Sequence, residues 1–318
     1  MKLNEITIEV TQQCPNHCIY CSSHSDIGKT ERLDYDCICR VVDDAKELGA
    51  KSVSLSGGEP FLREDIYDIV EYIHVKGLKV RLYSSGIYYA DGKYTSVPSK
   101  LLETIKGKLA VLIFNYETID AELYATMMGT NADNMALLDE TIKNAIMLGI
   151  PVEAHLVPMH CNYHQIPEVI SRLYSMGVSN VSFLRLVFQG RVFDNKALVA
   201  LKDDEQAELM QILKTCKETY NDKIRLGLPF SAKQASCGTG TSKLVVRYDG
   251  NVFPCEAFKD GMMELEDGIT PENVKDNRLK DIYQQSPYLQ YIRKGLNAHV
   301  GRKDNEYCYG QFCRTEKK

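Results

Sequence analysis

Residues 5–21 read EITIEVTQQCPNHCIYC. Over residues 6–10 apolar and polar side chains alternate with the period of a half-buried strand, and the loop that follows carries Cys14, Cys18 and Cys21 at C-x-x-x-C-x-x-C spacing. The strand-then-helix pattern recurs down the chain. Helical periodicity over 34–48 gives way to an apolar run at 52–55, then to a helix over 65–76 and a strand over 78–83. Residues 109–114 read as a buried strand, 134–148 as a helix ending at Gly149, 152–157 as a strand opened by Pro151, and 166–176 as a helix closed by Gly177. A sixth strand over 181–187 and a helix over 203–220 complete the series. Six β-α units in succession require an α/β fold with a parallel sheet and right-handed crossovers, either doubly wound or an incomplete barrel. In both, loops at the C-terminal ends of the strands carry the chemistry, and the cysteine loop is the first of them.

After Pro229 the alternation stops, and Cys237, Cys255, Cys308 and Cys313 appear among short segments rich in Gly, Lys and Tyr. A boundary near residue 230 divides the chain into a core, 1–229, and a tail, 230–318. Within the tail, 244–247 and Val252-Phe253 flank Asp249-Gly250, the signature of a tight hairpin.

The length, 318 residues, suits about two domains, and 44% hydrophobic with 25% charged residues is the mix of a soluble globular protein. Thirty-eight basic residues against 43 acidic ones leave a charge of −5, and no Lys/Arg run forms a phosphate-binding stripe, so nucleic acid is not an expected partner. The opening MKLNEITIEV has no apolar signal region, and nowhere do ~18 apolar residues run together, so neither a membrane nor secretion is expected and the reading is cytoplasmic. Eleven cysteines, an odd number in clustered spacings, then argue for metal or catalytic sulfur rather than disulfides.

Three thiolates on one short loop can hold three irons of a cubane 4Fe-4S cluster and leave the fourth iron open to a chelating ligand. A zinc site completed by His17 or His24 is the alternative. At the end of the second strand stands Ser56-Gly57-Gly58-Glu59-Pro60, where consecutive glycines let backbone approach a ligand closely and Glu59 supplies a carboxylate.

Together these residues resemble the radical S-adenosylmethionine (radical SAM) superfamily over most of 4–228. The resemblance implies a partial (β/α)6 TIM-like barrel. Cys14, Cys18 and Cys21 match the family's cluster motif, Tyr20 its aromatic position beside the adenine, and Gly57, Gly58, Glu59 and Pro60 its motif for the methionine amino group. Ser84, in Ser84-Ser85-Gly86, stands where relatives often carry T-N-G, and Asn115 where ribose contacts are usual. Arg185, a charge inside FLRLVF that needs a partner, suits the S-adenosylmethionine carboxylate. The implied chemistry is one-electron cleavage of S-adenosylmethionine to methionine and a 5′-deoxyadenosyl radical that takes a hydrogen atom from substrate. A flavodoxin- or ferredoxin-type reductant is implied with it.

Cys237 and Cys255 are spaced C-x12-G-x4-C, and Cys308 and Cys313 lie close together near the end. Four thiolates make a closed cubane site or equally a Cys₄ zinc site. The spacing resembles the auxiliary-cluster tails called SPASM and twitch. It departs from them in having four residues between the final pair and no cysteines for a second cluster, which points to one auxiliary 4Fe-4S cluster and a twitch-like tail. Such a cluster either relays an electron or staples a tail that lacks its own core.

Cys161 lies just past the fifth strand, where a thiol could give a hydrogen atom to a substrate radical or simply fill space as a small hydrophobe. His160 and His164 beside it are candidate bases; Cys37, Cys39 and Cys216 are read as structural. Relatives with such tails act on ribosomal peptides and on small molecules. A peptide modified by epimerisation, crosslinking or oxidation is the first reading. Dehydrogenation or rearrangement of a small molecule is the second, and a non-catalytic iron-sulfur or zinc redox sensor the third. Because the first strand begins within the first few residues, the N-terminal winged-helix module that grips leader peptides in many relatives is expected to be absent.

Overall fold

The computed structural model describes residues 1–227, 237–259, 265, 268–299 and 308–310. Six of its strands are those read from the pattern: β1 (Glu5–Thr11), β2 (Ser52–Gly57), β3 (Lys79–Ser84), β6 (Leu109–Asn115), β7 (Val152–Leu156) and β8 (Asn180–Phe183). Four more lie between or after them, β4 (Ile87–Ala90), β5 (Lys93–Ser96), β9 (Ile224–Leu226) and β10 (Lys243–Val246), and β11 (Val252–Phe253) is the last. The main sheet runs β11-β10-β1-β2-β3-β6-β7-β8-β9, parallel throughout except for β11. It is open, with β9 and β11 as its edges, in keeping with an incomplete barrel.

One alternation explains both the packing and the site. Ile8, Leu55, Leu82, Leu112 and Val152 stand in register across five strands, and Ala154, Val181 and Ile224 continue the row. All are buried against helices, and each Val, Leu or Ile among them contributes about 1.5–3 kcal/mol of apolar burial. The intervening positions point to the other face and are mostly polar: Thr7, Ser54 and Arg81 are paired across one part of it, Asn115, His155, Ser182 and Arg225 across another, with Val111 and Ile113 of β6 as apolar exceptions. A sheet with one apolar and one polar face packs on one side and leaves a polar hollow on the other.

The helices are α1 (Tyr35–Glu47), α2 (Ile66–Val75), α3 (Ser99–Ile105), α4 (Ala121–Met128), α5 (Asn134–Met147), α6 (Ile166–Met176), α7 (Lys196–Val199), α8 (Asp203–Tyr220), α9 (Leu279–Gln285) and α10 (Pro287–His299). α1 shows why the pattern was legible. Asp34 accepts from the Cys37 N–H at 2.8 Å as an N-cap, and Cys37, Ile38, Val41, Val42 and Ala45 form its buried face. Cys37 and Cys216 are buried among apolar neighbours, as their structural reading requires.

Three readings are corrected. The sixth strand, expected over 181–187, stops at Phe183, so Arg185 is not inside a strand; FLRLVF holds no Gly, Pro, Asn or Asp to signal an end. The β4–β5 hairpin, with positive φ at Asp91 and Gly92, was not anticipated, although Asp-Gly is its turn signal. The tail hairpin forms as expected, but β10 also pairs parallel with β1, Ile6 opposite Leu244 and Ile8 opposite Val246, so the tail extends the core sheet. Its helix α9 is tied to α1, where the Arg278 guanidinium grips the buried Asp44 carboxylate, Nε at 3.0 Å. The expected boundary near 230 lies outside the described residues. No described helix is long and apolar enough to cross a membrane.

Candidate active site

The polar face of the sheet and the loops above it border an open cavity of about 210 Å³. Cys14, Cys18 and Cys21 all line it, and Cys14 is only 8% exposed. Their loop has little regular structure of its own, so neighbouring elements hold it. The Gly58 N–H donates to the Thr11 carbonyl at 2.6 Å and the Glu59 N–H to that of Gln13 at 2.7 Å. A Cβ on Gly58 would stand 1.9 Å from the Gln13 oxygen, and one on Gly57, at φ 124°, 2.3 Å from the Thr11 oxygen. Glycine is required at both positions because the cysteine loop packs on them, an approach of backbone to backbone and not only of backbone to ligand.

Two other elements grip the same loop. His17 and Ile19 donate their N–H groups to the Met128 and Met127 carbonyls at 2.8 and 2.9 Å, satisfying the otherwise orphaned end of α4. Arg191, 6% exposed, donates from Nε to the Cys18 carbonyl at 2.7 Å and from Nη2 to the Ser25 carbonyl at 2.9 Å, while its own N–H reaches the Cys21 carbonyl at 3.1 Å. Arg191 also lines the cavity. Nothing in GRVFDN marked it, since its partners are backbone atoms distant in sequence.

Burial, and then the charge of Cys18, push the Cys14 thiol well up, and burial pushes Cys18 to about 12. Cys14 and Cys18 therefore hold their protons at neutral pH and would release them on binding metal. Among the described residues no fourth Cys or His lines the cavity, and His17 and His24 are exposed outside it. Among the described residues no three His, Cys, Asp or Glu side chains converge on a single-ion centre. Three thiols spread around one cavity fit a cubane cluster with an open iron better than a Cys₃His zinc ion.

Glu59 is fully buried and is not itself among the lining residues, but its carboxylate lies directly behind Ser84 and Ser85, which are. Its carboxylate accepts from Phe61 N–H (3.1 Å), Ser84 Oγ (2.9 Å), Ser85 N–H (2.6 Å) and Ser85 Oγ (2.5 Å), so it joins the turn after β2 to the end of β3. Burial raises it to about 7, with those hydrogen bonds pulling it back. Pro60 opens the one-turn helix that follows. Ser84 and Asn115 line the cavity, as does Tyr20, whose hydroxyl donates to Glu117 at 3.0 Å. Glu117 was not anticipated. It is 1% exposed, takes the Val157 N–H at 2.8 Å and Asn115 Nδ2 at 3.3 Å, and is raised to about 7 by burial. Arg185 is half-buried and outside the lining, but its Nε and Nη1 are buried without a hydrogen-bond partner, as a residue awaiting an anionic group would be.

In the tail, Thr239 Oγ1 donates to Cys255 Sγ at 3.2 Å, and burial, Glu256 and Cys308 raise the Cys255 thiol. Residues 308–310 pack on the one-turn helix Glu256–Phe258, where a Cβ on Gly310 would stand 2.7 Å from Ala257 Cβ. Cys255 and Cys308 are thus brought together; Cys237, half-buried, lies two residues before Thr239, and Cys313 is outside the described residues.

Cys161 is half-buried and outside the cavity lining, with its thiol raised to about 11 by burial. His160 Nδ1 meets Glu205 at 2.7 Å and His164 Nδ1 lies 3.9 Å from Glu208, so both histidines face α8 rather than the cavity.

The family model of the radical SAM superfamily matches residues 8–173, more than half of the chain, and that of the SPASM iron-sulfur cluster-binding domain matches 237–314. A PqqA peptide cyclase of Methylobacterium nodulans is 25% identical over 292 residues, 90% of this chain and 74% of its own. A "Probable GTP 3′,8-cyclase" of Methanothermobacter marburgensis is 26% identical over 312 residues, 91% and 96%. Among solved structures, Streptococcus suis SuiB bound to S-adenosylmethionine superposes with a TM-score of 0.73 at 18% identity, over 92% of this chain and 68% of its own. SuiB bound to its precursor peptide SuiA gives 0.71, over 92% and 67%. These structures share the fold.

Proposed function

We propose, from the premise that the chain belongs to the radical SAM superfamily and carries a SPASM tail, that it is a peptide-modifying radical enzyme. Cys14, Cys18 and Cys21 would hold the catalytic 4Fe-4S cluster, and Cys237, Cys255, Cys308 and Cys313 are the candidate ligands of an auxiliary one. Bound together, the first cluster and S-adenosylmethionine supply a one-electron cleavage to methionine and a 5′-deoxyadenosyl radical, which removes a hydrogen atom from substrate. Gly57 and Gly58 seat the cluster loop. Tyr20, Ser84 and Asn115 line the cavity where the adenosyl part would lie, with Glu59 and Glu117 holding them from behind. Arg185 offers two unused N–H groups to a carboxylate. Cys161 retains its S–H at neutral pH, as a hydrogen-atom donor needs.

The observation that carries the peptide reading is the polar inner face of the sheet. A barrel that only needed stability would fill this space with branched apolar side chains; here only β6 does so, with Val111 and Ile113, while the other strands carry Thr7, Ser54, Arg81, Glu153, His155 and Arg225, and Arg81 Nε and His155 Nδ1 are buried without partners. Unpaired donors and acceptors of that kind suit a substrate rich in N–H and C=O groups. The peptide cyclase and the SuiB–SuiA pair among the chain's relatives support the same class. A small-molecule substrate is the second reading, favoured by the cyclase matched over 96% of its length. A flavodoxin- or ferredoxin-type protein in the cytoplasm would supply the electron.

The test is anaerobic reconstitution followed by dithionite and S-adenosylmethionine. Wild-type protein should form 5′-deoxyadenosine, and replacing Cys14, Cys18 and Cys21 together with Ala should abolish it while iron remains on the tail. Turnover that survives the change refutes the assignment. A short peptide encoded beside the gene should change mass in the same assay; one left unmodified, with a small molecule consumed instead, would favour the second reading.

A further inference from the structure

Lys259 belongs to the tail, one short helical turn beyond Cys255, yet it lines the cavity of the three-cysteine loop and is 5% exposed. Its ammonium donates to Glu9 Oε1 and, at 3.0 Å, to Ser23 Oγ; Ser23 in turn donates to Glu9 Oε1 at 2.7 Å. Glu9 stands on the polar face of β1 and is 2% exposed, and its other oxygen, Oε2, is buried without a hydrogen-bond partner. Ser23 is two residues past Cys21. The tail thus delivers a positive charge that both neutralises a core carboxylate and fixes the end of the cysteine loop. Burial works against that charge, and Glu9 together with the more distant Glu256 and Cys21 outweighs it, so the amine's pKa is raised.

We propose that Lys259 is a positioning residue of the catalytic cluster site, which the core cannot complete without the tail: by neutralising Glu9 it makes a cluster held by Cys14, Cys18 and Cys21 easier to reduce. Reduction adds one electron, taken from an external low-potential one-electron donor, and forms no bond. It makes an already anionic thiolate-ligated centre more negative. An uncompensated carboxylate at the buried Glu9 position beside that cavity would oppose the step, because buried charges are weakly screened. The inference rests on the three cysteines as cluster ligands and is independent of the substrate.

The experiment is a potentiometric titration of the full-length, anaerobically reconstituted protein, following the electron-paramagnetic signal that changes when S-adenosylmethionine is added. Only a cluster with an open iron can respond in that way. Lys259→Met should lower the ratio of reduced to oxidised cluster at a fixed potential about tenfold, equivalent to about 59 mV for one electron. Glu9→Gln should shift the ratio in the opposite direction, and the double variant should return close to wild type. Shifts of the same sign in the two single variants, or no shift in either with iron retained, overturn the proposal. If Lys259→Met fails to hold iron, Lys259→Arg should keep the wild-type ratio, and a Glu9→Gln ratio that stays or falls still overturns it. A wild-type protein with no signal responsive to S-adenosylmethionine would instead remove the ligand assignment on which the proposal stands.

Discussion

Glu117 follows Asn115 by two residues, is 1% exposed, and holds both Asn115 and Tyr20 in place. A carboxyl raised to about 7 from an ordinary 4.5 favours its protonated form in the folded state. Its contribution to stability is therefore complete below about pH 4.5 and is lost as pH rises through 7, up to about 3 kcal/mol. The cluster-free protein should melt at a lower temperature at pH 8 than at pH 5, and Glu117→Gln should flatten that difference. Parallel melting curves for the two proteins across this range would refute the claim. Glu59, also raised to about 7, adds to the same slope. Neither carboxyl's burial is readable from its neighbours in sequence, whereas Tyr20 and Asn115 were singled out by the family resemblance, Tyr20 from its place inside the cysteine motif and Asn115 from its place after the fourth strand of the core.

The cysteine loop shows how one element depends on several others. Its carbonyls and N–H groups are taken up by the turn after β2, the end of α4 and the segment 190–195. Gly58 is the tightest of these contacts. Gly58→Ala should push the loop off its seat, because an added Cβ would meet the Gln13 carbonyl at 1.9 Å and backbone cannot yield as a side-chain tip can. The variant should lose the iron of the first site while keeping that of the tail, which an iron and sulfide count with the spectrum of the reconstituted protein would measure. Full iron in both sites would show that the glycine serves another purpose.

Across the whole molecule, core and tail form one body. β10 adds a parallel strand beside β1, Gln12 Nε2 donates to the Tyr248 hydroxyl at 2.8 Å, and Gln189 Nε2 to the Glu256 carbonyl at 2.6 Å. The outermost tie is Arg278 on Asp44. Asp44 is 1% exposed, so removing its partner leaves a buried carboxylate unpaired, although the Arg278 side chain is itself 46% exposed and water recovers part of the loss. Arg278→Ala should cost about 1–3 kcal/mol and make the tail more susceptible to limited proteolysis than the core. Equal digestion rates for variant and wild type would show that the strand pairing alone secures the tail.

The sequence by itself determined the order of strands and helices in the core, the cysteine motif in its first loop and the hairpin of the tail, because hydrophobic period, caps and turn residues act over a few positions. It also carried the family, since motif spacing is local. The three-dimensional structure alone decided that Gly57 and Gly58 seat the cysteine loop, that Glu59 is buried behind Ser84 and Ser85, and that Glu117, Arg191 and Lys259 contact the residues that line the site. Each of these depends on contacts between residues far apart along the chain, 173 positions for Arg191 and Cys18 and 250 for Lys259 and Glu9. No local pattern records such pairings; they exist only once the sheet has brought both ends of the chain to one cavity.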